Sequence, residues 1–357
     1  MNGRFAGFQN WFFKYWFLIC LITFIATGMT LGLTWPNTLP GMTSIVDPRV
    51  TTAIITTLMS LSLNGEKLAA ALRAPWPVIT GFTVNILVVP LLGLLLFPIQ
   101  LHVDLKYGLL IAASVPCTLA AASVWTRKAG GNDAVSLLVT MTTSTACFIS
   151  TPFWLSIPTF LSGDVAATGA TGLTLSLATR LKLAVDLIFG ALIPTFLGQA
   201  LRQHSATRIW ADRRKPFLGG IAQSLILVMV LVSAIKAGGR LAETDKAIGF
   251  MPFVFVFLCV VAIHIAAYFI AITVARRLGF RLEDQIAVGL AGSQKTLPTG
   301  LLIATELGRT AGMTFALFPM LMYHAAQLLI DTLFVADYSR RISSSQATSS
   351  GSETARR

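Results

Sequence analysis

Ten apolar stretches, most of them long, alternate along this chain with short polar or glycine- and proline-bearing segments. They cover about residues 15–33, 50–63, 77–97, 105–127, 134–157, 177–201, 221–237, 252–274, 285–307 and 313–336. A bilayer core takes roughly 20 apolar residues as a helix. The pattern therefore predicts an all-α polytopic membrane protein with ten transmembrane helices. The second stretch is short and rich in Thr and Ser, which predicts packing against protein. The fourth is interrupted at Pro116-Cys117-Thr118. The ninth holds Gly292-Ser293-Gln294-Lys295-Thr296-Leu297-Pro298-Thr299-Gly300. Non-helical backbone at membrane depth survives only inside protein or along a cavity. An ionisable residue there, such as Lys295, marks a functional site by default.

The two interruptions are related. Sliding the chain on itself by 178 residues lays Thr118-Leu119 on Thr296-Leu297, Gly130 on Gly308 and Cys117 on Lys295. Five spans per half is an odd number, so the second half enters from the opposite side. This predicts two inverted five-helix repeats, residues 10–162 and 174–337, with broken helices 4 and 9 crossing near the midplane. Residues 338–357 are Ser/Thr-rich and charged and read as a disordered cytoplasmic tail.

Composition changes the picture little. Charged residues make up 12%, against roughly 25% in soluble domains. The net charge of +12 fits the positive-inside rule better than a nucleic-acid partner. With the N-terminus in the cytoplasm, 18 Lys and Arg fall on that side and 8 on the other. Both termini are thus placed inside, in an inner or plasma membrane. The first stretch is too long for the 7–15-residue core of a secretory signal. Cys20, Cys117, Cys147 and Cys259 lie in apolar runs without metal-ligand spacing, as small buried side chains. Neither a catalytic constellation nor a cofactor motif stands out, so an enzyme is not expected.

Candidate binding residues follow from the breaks. Thr118, Ser123, Thr126, Ser293 and Thr296 flank them and can satisfy freed backbone groups or touch a solute. Gln294 and Asn85, which lies five residues before Pro90, can be ligands or interhelical hydrogen-bond partners. Thr140 and Ser144 share a helical face at i, i+4. Lys295 reads either as an ammonium that replaces a coupling cation or exchanges a proton, or as a structural cap on exposed carbonyls. His324 and Asp331, seven apart on one face, are a possible proton relay. Asp186 with Lys182 reads as a pair snorkelling near a helix start.

The Pro116 break running to Gly131-Asn132, together with the Gly292–Pro298 motif, resembles the bile acid:sodium symporter superfamily, and within it the SBF-like branch grouped with cation–proton antiporters. The resemblance covers about residues 10–337. It implies a panel domain and a core domain, with helices 4 and 9 crossing in the core. It also implies two sodium sites, built from helices 4, 5 and 9 and from helices 3 and 9. By motif, these fall on Asn85, on Ala122 and Ser123, near Thr140 and Ser144, and on Gln294. The family's helix-9 glutamate falls on Leu290, and Lys295 stands where sodium-coupled members carry a neutral side chain. Two sodium ions beside an ammonium would meet repulsion of several kcal/mol at low effective dielectric, which argues against two-sodium coupling. Cys117 and Trp125 are similar in placement to a cysteine and tryptophan of the related arsenite-efflux family.

The expected function is a secondary active transporter that moves an organic anion or similar small solute by alternating access, coupled to Na+ or H+. Alternatives are a cation–proton antiporter, an arsenite-type efflux permease, and a non-transporting membrane sensor or scaffold.

Overall fold

The computed structural model describes residues 2–63, 75–119, 121–161, 177–243 and 249–354. The loop with Glu66, Lys67 and Arg73, the loop with Asp164, and Lys246 lie outside the described residues. Every regular element among the described residues is helical. The first half contains α1 (Asn2–Thr34), α2 (Pro48–Leu61), α3 (Pro75–Leu96), α4 (Val103–Ser114), α5 (Ala121–Lys128) and α6 (Asp133–Leu161). The second contains α7 (Leu177–Gln203), α8 (Ser205–Arg213), α9 (Lys215–Glu243), α10 (Phe250–Arg277), α11 (Leu282–Ser293), α12 (Leu297–Ala311) and α13 (Leu317–Thr354).

Seven helices in the described residues are long and apolar enough to cross a bilayer: α1, α3, α6, α7, α9, α10 and α13. The remaining apolar stretches are short or divided. The fourth is split into α4 and α5, the ninth into α11 and α12, and α2 has 14 residues. Large apolar side chains are exposed along many helices, among them Ile22, Trp76, Leu95, Phe153, Phe189, Leu258 and Leu333. Such a surface suits acyl chains and not water.

Local chemistry sets the shorter elements. The Asp47 carboxylate caps α2, accepting from the amides of Arg49 at 2.7 Å and Val50 at 3.3 Å, and Pro48 pre-sets its first turn. The other end of α2 is held by α7. Ser60 Oγ donates to Thr195 O at 2.6 Å, Gln199 Nε2 donates to Ser60 O at 2.7 Å, and Arg202 Nη1 donates to Leu61 O at 2.9 Å. The polar composition of this stretch is thus used for packing against protein, as its sequence predicts. The exit of α12 is Gly312 at φ 71°, the left-handed cap that glycine adopts without strain.

Two departures from the sequence expectation have clear causes. A single π turn, Val84–Val88, replaces regular helix in α3 ahead of Pro90, and a second, Ile188–Leu192, does so in α7 ahead of Pro194. Proline removes a backbone donor, and a wider turn redistributes the carbonyls it frees. The last helix runs from Leu317 to Thr354. No proline follows Pro319 there, so nothing in the sequence forces the helix to stop.

α1 packs along α9, α10 on α11 and α13, and α11 also against α3, α5 and α6. The α1–α9 contact depends on small residues. A Cβ on Gly32 would sit 2.1 Å from Ile235 O, and one on Gly238 would sit 2.3 Å from Met29 O. Without a strong hydrophobic force between helices in lipid, such close approach supplies the packing. Gly32→Leu is therefore expected to destabilise the protein by about 1–3 kcal/mol or more, read as a lowered midpoint of unfolding in detergent. An unchanged midpoint would show that the two helices do not pack this closely.

Candidate functional site

The breaks predicted in the fourth and ninth stretches face each other. α4 stops at Ser114, and Val115 turns into extended backbone at φ −64°, ψ 157°. α11 stops at Ser293, with Gln294 at φ −74°, ψ 146° and Thr296 at φ −86°, ψ 126°. The segments touch directly, because Thr296 N donates to Pro116 O at 2.9 Å.

Backbone groups released by the breaks find partners on other helices. Asn85 Nδ2 lies 3.1, 3.2 and 2.9 Å from the carbonyl oxygens of Ala291, Gly292 and Gln294, which caps the end of α11. Tyr323 Oη donates to Ser293 O at 2.9 Å. Gln327 pairs with the Lys295 backbone twice, accepting from its N–H at 2.8 Å and donating to its O at 2.9 Å. On the other break, Cys117 N donates to Thr143 Oγ1 at 3.2 Å, and Thr151 Oγ1 donates to Ser114 O at 2.9 Å.

Lys295 is fully buried. Its Nζ donates to Asn85 O at 2.7 Å, Asn85 Oδ1 at 3.1 Å and Val115 O at 2.9 Å. An ammonium has three protons to give, and three oxygens take them. The π turn explains why Asn85 O is free. Val89 N bonds back to Val84 O, so the next donor in that register would be Pro90, which has no N–H. Pro90 also leaves Ile86 O without its usual helical partner, and Trp154 Nε1 takes it at 2.9 Å. The oxygens gathered around Nζ are of the kind a hard cation uses, and a tethered cation already occupies them.

The remaining candidates divide. Gln294 Nε2 donates to Asp331 Oδ2 at 2.6 Å, while Gln294 Oε1 is buried without a partner. Thr140 Oγ1 lies 2.9 Å from Ser136 O and 3.4 Å from both Thr118 O and Cys117 Sγ. Thr118 Oγ1 accepts from Ala121 N at 3.4 Å. Ser123 and Ser144 are buried on α5 and α6, and Thr126 Oγ1 is buried without a partner. Ser293 Oγ donates back to Gly289 O at 2.9 Å within its own helix.

His324 and Asp331 do not bond to each other. His324 Nδ1 accepts from Gln327 Nε2 at 2.9 Å, and its ring meets Phe17 edge-on. Asp331 faces His264 of α10 instead, with Nε2 3.0 Å from Oδ1. The sequence reading passed over His264, although an ionisable residue inside a span is the signal that exposes it. Asp186 and Lys182 likewise do not pair. Asp186 Oδ1 lies 2.8 Å from Arg49 Nε, and Lys182 Nζ bonds Glu306, which also holds Arg309 at 2.8 Å. One helical turn on α7 separates Lys182 from Asp186, but partners on α2 and α12 are better placed.

Two cavities meet α12 at opposite ends. The larger, about 840 Å³, is lined by Arg49, Lys236, Arg240, Glu306 and Arg309, among others. Lys236 has no carboxylate partner among the described residues. The smaller, about 300 Å³, is lined by Thr118 and Ala121, by Thr296, Leu297 and Pro298, and by Trp125 and His324. Only Thr299, Gly300 and Leu301 of α12 lie between them, and all three are buried. Asn85, Gln294 and Lys295 sit behind the cavity walls, while Thr118 and Thr296 reach the smaller one.

Asn85→Leu removes the amide donor shared by the carbonyls of Ala291, Gly292 and Gln294, and one oxygen of the Lys295 cage. It is expected to destabilise the protein by roughly 3 kcal/mol or more, since each orphaned buried group costs about 1–3 kcal/mol. Trp154→Phe orphans Ile86 O alone and should cost about 1–3 kcal/mol. Unfolding in mixed detergent micelles measures both, and the reverse ranking would contradict the capping role of Asn85.

The sequence is similar to those of known proteins. The chain is 27% identical over 265 residues to an uncharacterised protein of Pseudomonas aeruginosa, covering 73% of this chain and 74% of the relative. It is 26% identical over 308 residues to a chloroplastic protein of Arabidopsis thaliana described as a probable sodium/metabolite cotransporter, covering 82% and 66%. It is 25% identical over 353 residues to sodium/bile acid cotransporter 7 of Danio rerio, covering 94% and 96%. The model of the SBF-like CPA transporter family matches residues 15–340. With nearly its whole length matched, and two facing helix breaks at its centre, the chain belongs to the SBF-like CPA transporter family and is a membrane transporter, not an enzyme.

Proposed function

We propose that this protein is a secondary active transporter that carries a small organic anion across the membrane by alternating access. Its ten transmembrane segments form two inverted five-helix repeats, with α4–α5 and α11–α12 as the crossing broken pair. The observation that carries this reading is the pair of cavities on either side of one buried turn of α12. Rocking one group of helices against the other by a few ångströms would exchange which cavity reaches the crossing.

The charge of the walls supports an anionic solute. Among the lining residues of the larger cavity, Arg49, Lys236, Arg240 and Arg309 outnumber Asp47 and Glu306. The smaller cavity is lined by the first residues of α5 and α12. Helix N-termini present partial positive charge and unpaired N–H groups, which favour an anion. The relatives described as sodium cotransporters raise the prior for ion coupling. Lys295 argues against a two-sodium arrangement, because its ammonium fills an oxygen cage with a cation of its own and repels a second.

Proteoliposomes under separately imposed sodium and proton gradients test the reading against a panel of small organic anions. Uptake is expected without sodium in the wild type, and Lys295→Gln should lower it and alter its ion dependence. Strict sodium dependence in the wild type would exclude Lys295 as the substitute cation. Lys236→Met should raise the half-saturating anion concentration about tenfold or more, since a charge-assisted hydrogen bond is worth about 1.5–3 kcal/mol. Unchanged affinity would remove the larger cavity from the solute path.

A further inference from the structure

We propose that the His264–Asp331 pair is a proton-binding site that controls the break between α11 and α12, so that the ion coupled to solute movement is H+. The inference rests on the transporter reading above and names its coupling ion.

Both residues are fully buried, on α10 and α13. His264 Nε2 lies 3.0 Å from Asp331 Oδ1, and Nδ1 lies 3.3 Å from Ser293 O. A peptide carbonyl can only accept. An ionised carboxylate can only accept as well, and Asp331 Oδ2 takes Gln294 Nε2 at 2.6 Å, the short length of a charge-assisted bond. With Asp331 ionised, both imidazole nitrogens face acceptors, and both contacts then exist together only if the ring carries two protons. In that state the imidazolium and the carboxylate form a neutral pair.

Removing one proton leaves the pair at −1. If Nε2 keeps its hydrogen for Asp331, the lone pair of Nδ1 then faces the lone pairs of Ser293 O. Ser293 is the last residue of α11, and its carbonyl also accepts from Tyr323 Oη. The repulsion thus falls on the hinge of the broken helix. Uptake forms one N–H bond at Nδ1 and restores the contact, and release returns the proton to cavity water. The smaller cavity is lined by Thr296 and by Leu328 and Thr332, three residues before and one after Asp331, while His264 and Asp331 lie behind its wall.

The surrounding charges are few. The break contributes Lys295, whose ammonium is turned toward Asn85 and Val115. α4 contributes the buried Cys117 thiol at its own break, with Asp104 at its far end bonded to Phe315 N. α13 adds Tyr323, its ring 5.7 Å from that of His264, and His324, which is bonded to Gln327. One turn along α10 lies Tyr268, stacked on Phe334. α3 presents the neutral Asn85. Arg127 and Lys128 close α5, the former paired with Asp133, and Glu306 lies further along α12 with Lys182 and Arg309. No other carboxylate among the described residues stands at the break. With His264 doubly protonated the buried centre is +1 through Lys295, and without that proton it is neutral. An anion near the helix N-termini therefore favours proton uptake, and by linkage the proton favours the anion.

The pH arm of the test needs no solute, and a second arm adds the panel of small organic anions used for uptake. The full chain, labelled with [15N]histidine and held in lipid nanodiscs, is titrated by NMR from pH 5 to 9. His264 is assigned by the signal lost in His264→Gln or, should that variant not fold, by elimination through the other three histidines. In parallel, spin labels on Phe217→Cys of α9, which packs on α1, and Leu333→Cys of α13, which packs on α10, both exposed, report the distance between these two helix pairs by electron double resonance. The expected result is a His264 ring with two protons at the acid end and one at the alkaline end. The distance should shift at the same midpoint, and the shift should vanish in Asp331→Asn. A ring that keeps two protons throughout makes the pair a fixed ion pair and overturns the proposal, as does a ring with a single proton throughout. A titration that leaves the distance unmoved overturns it too. A distance that responds to a transported anion but not to pH removes proton coupling alone and leaves the transporter reading standing. A distance that responds to neither, without uptake of any anion tested, removes both.

Discussion

A backbone polar group inside a bilayer has no water to turn to, and the rest of this structure depends on how that constraint is met. Two broken helices and a π turn release carbonyls at one depth. The Lys295 ammonium gathers one from each of two elements, Asn85 O from α3 and Val115 O from the end of α4, together with the Asn85 side-chain oxygen. Asn85 in turn caps α11. Two consecutive helices of the first half, α3 and α4, are thus tied to the break between α11 and α12 by a single buried cation.

The same centre explains the division of roles between polar residues. Those deepest in the protein, Asn85, Gln327 and Thr143, hold backbone. Those at the cavity walls, such as Thr118 and Thr296, stand where a solute can reach the N-terminal ends of α5 and α12. Gln294 lies between these groups, bonded to Asp331 through one side-chain atom and unpaired at the other. Besides Lys295, ionisable side chains gather in two places. One is the buried His264–Asp331 pair near the break, and the other is the set of Arg49, Asp186, Lys182, Glu306 and Arg309 near the larger cavity. The second set joins α2, α7 and α12, so helices with no chain connection nearby share one electrostatic cluster.

The sequence by itself determined the helical class, the positions of both interruptions, and the residues around them, because hydropathy and the placement of Pro, Gly and Lys are local properties of a chain in lipid. It singled out Lys295, Gln294 and Asn85 for the same reason, since polar groups at such depth are costly and must have a use. What only the tertiary structure decided is which polar group meets which. Periodicity suggested that His324 and Asp331 share a face, and that Lys182 and Asp186 do, but a shared face does not make a pair. His264 from α10 and Glu306 from α12 approach more closely, and partner choice in a low-dielectric interior follows distance and desolvation, not spacing along one helix. The freeing of Asn85 O by the π register ahead of Pro90, and its capture by a lysine 210 residues away, could not be read from either segment alone. Each half of that contact acquires its meaning from the other, and only the fold brings them together.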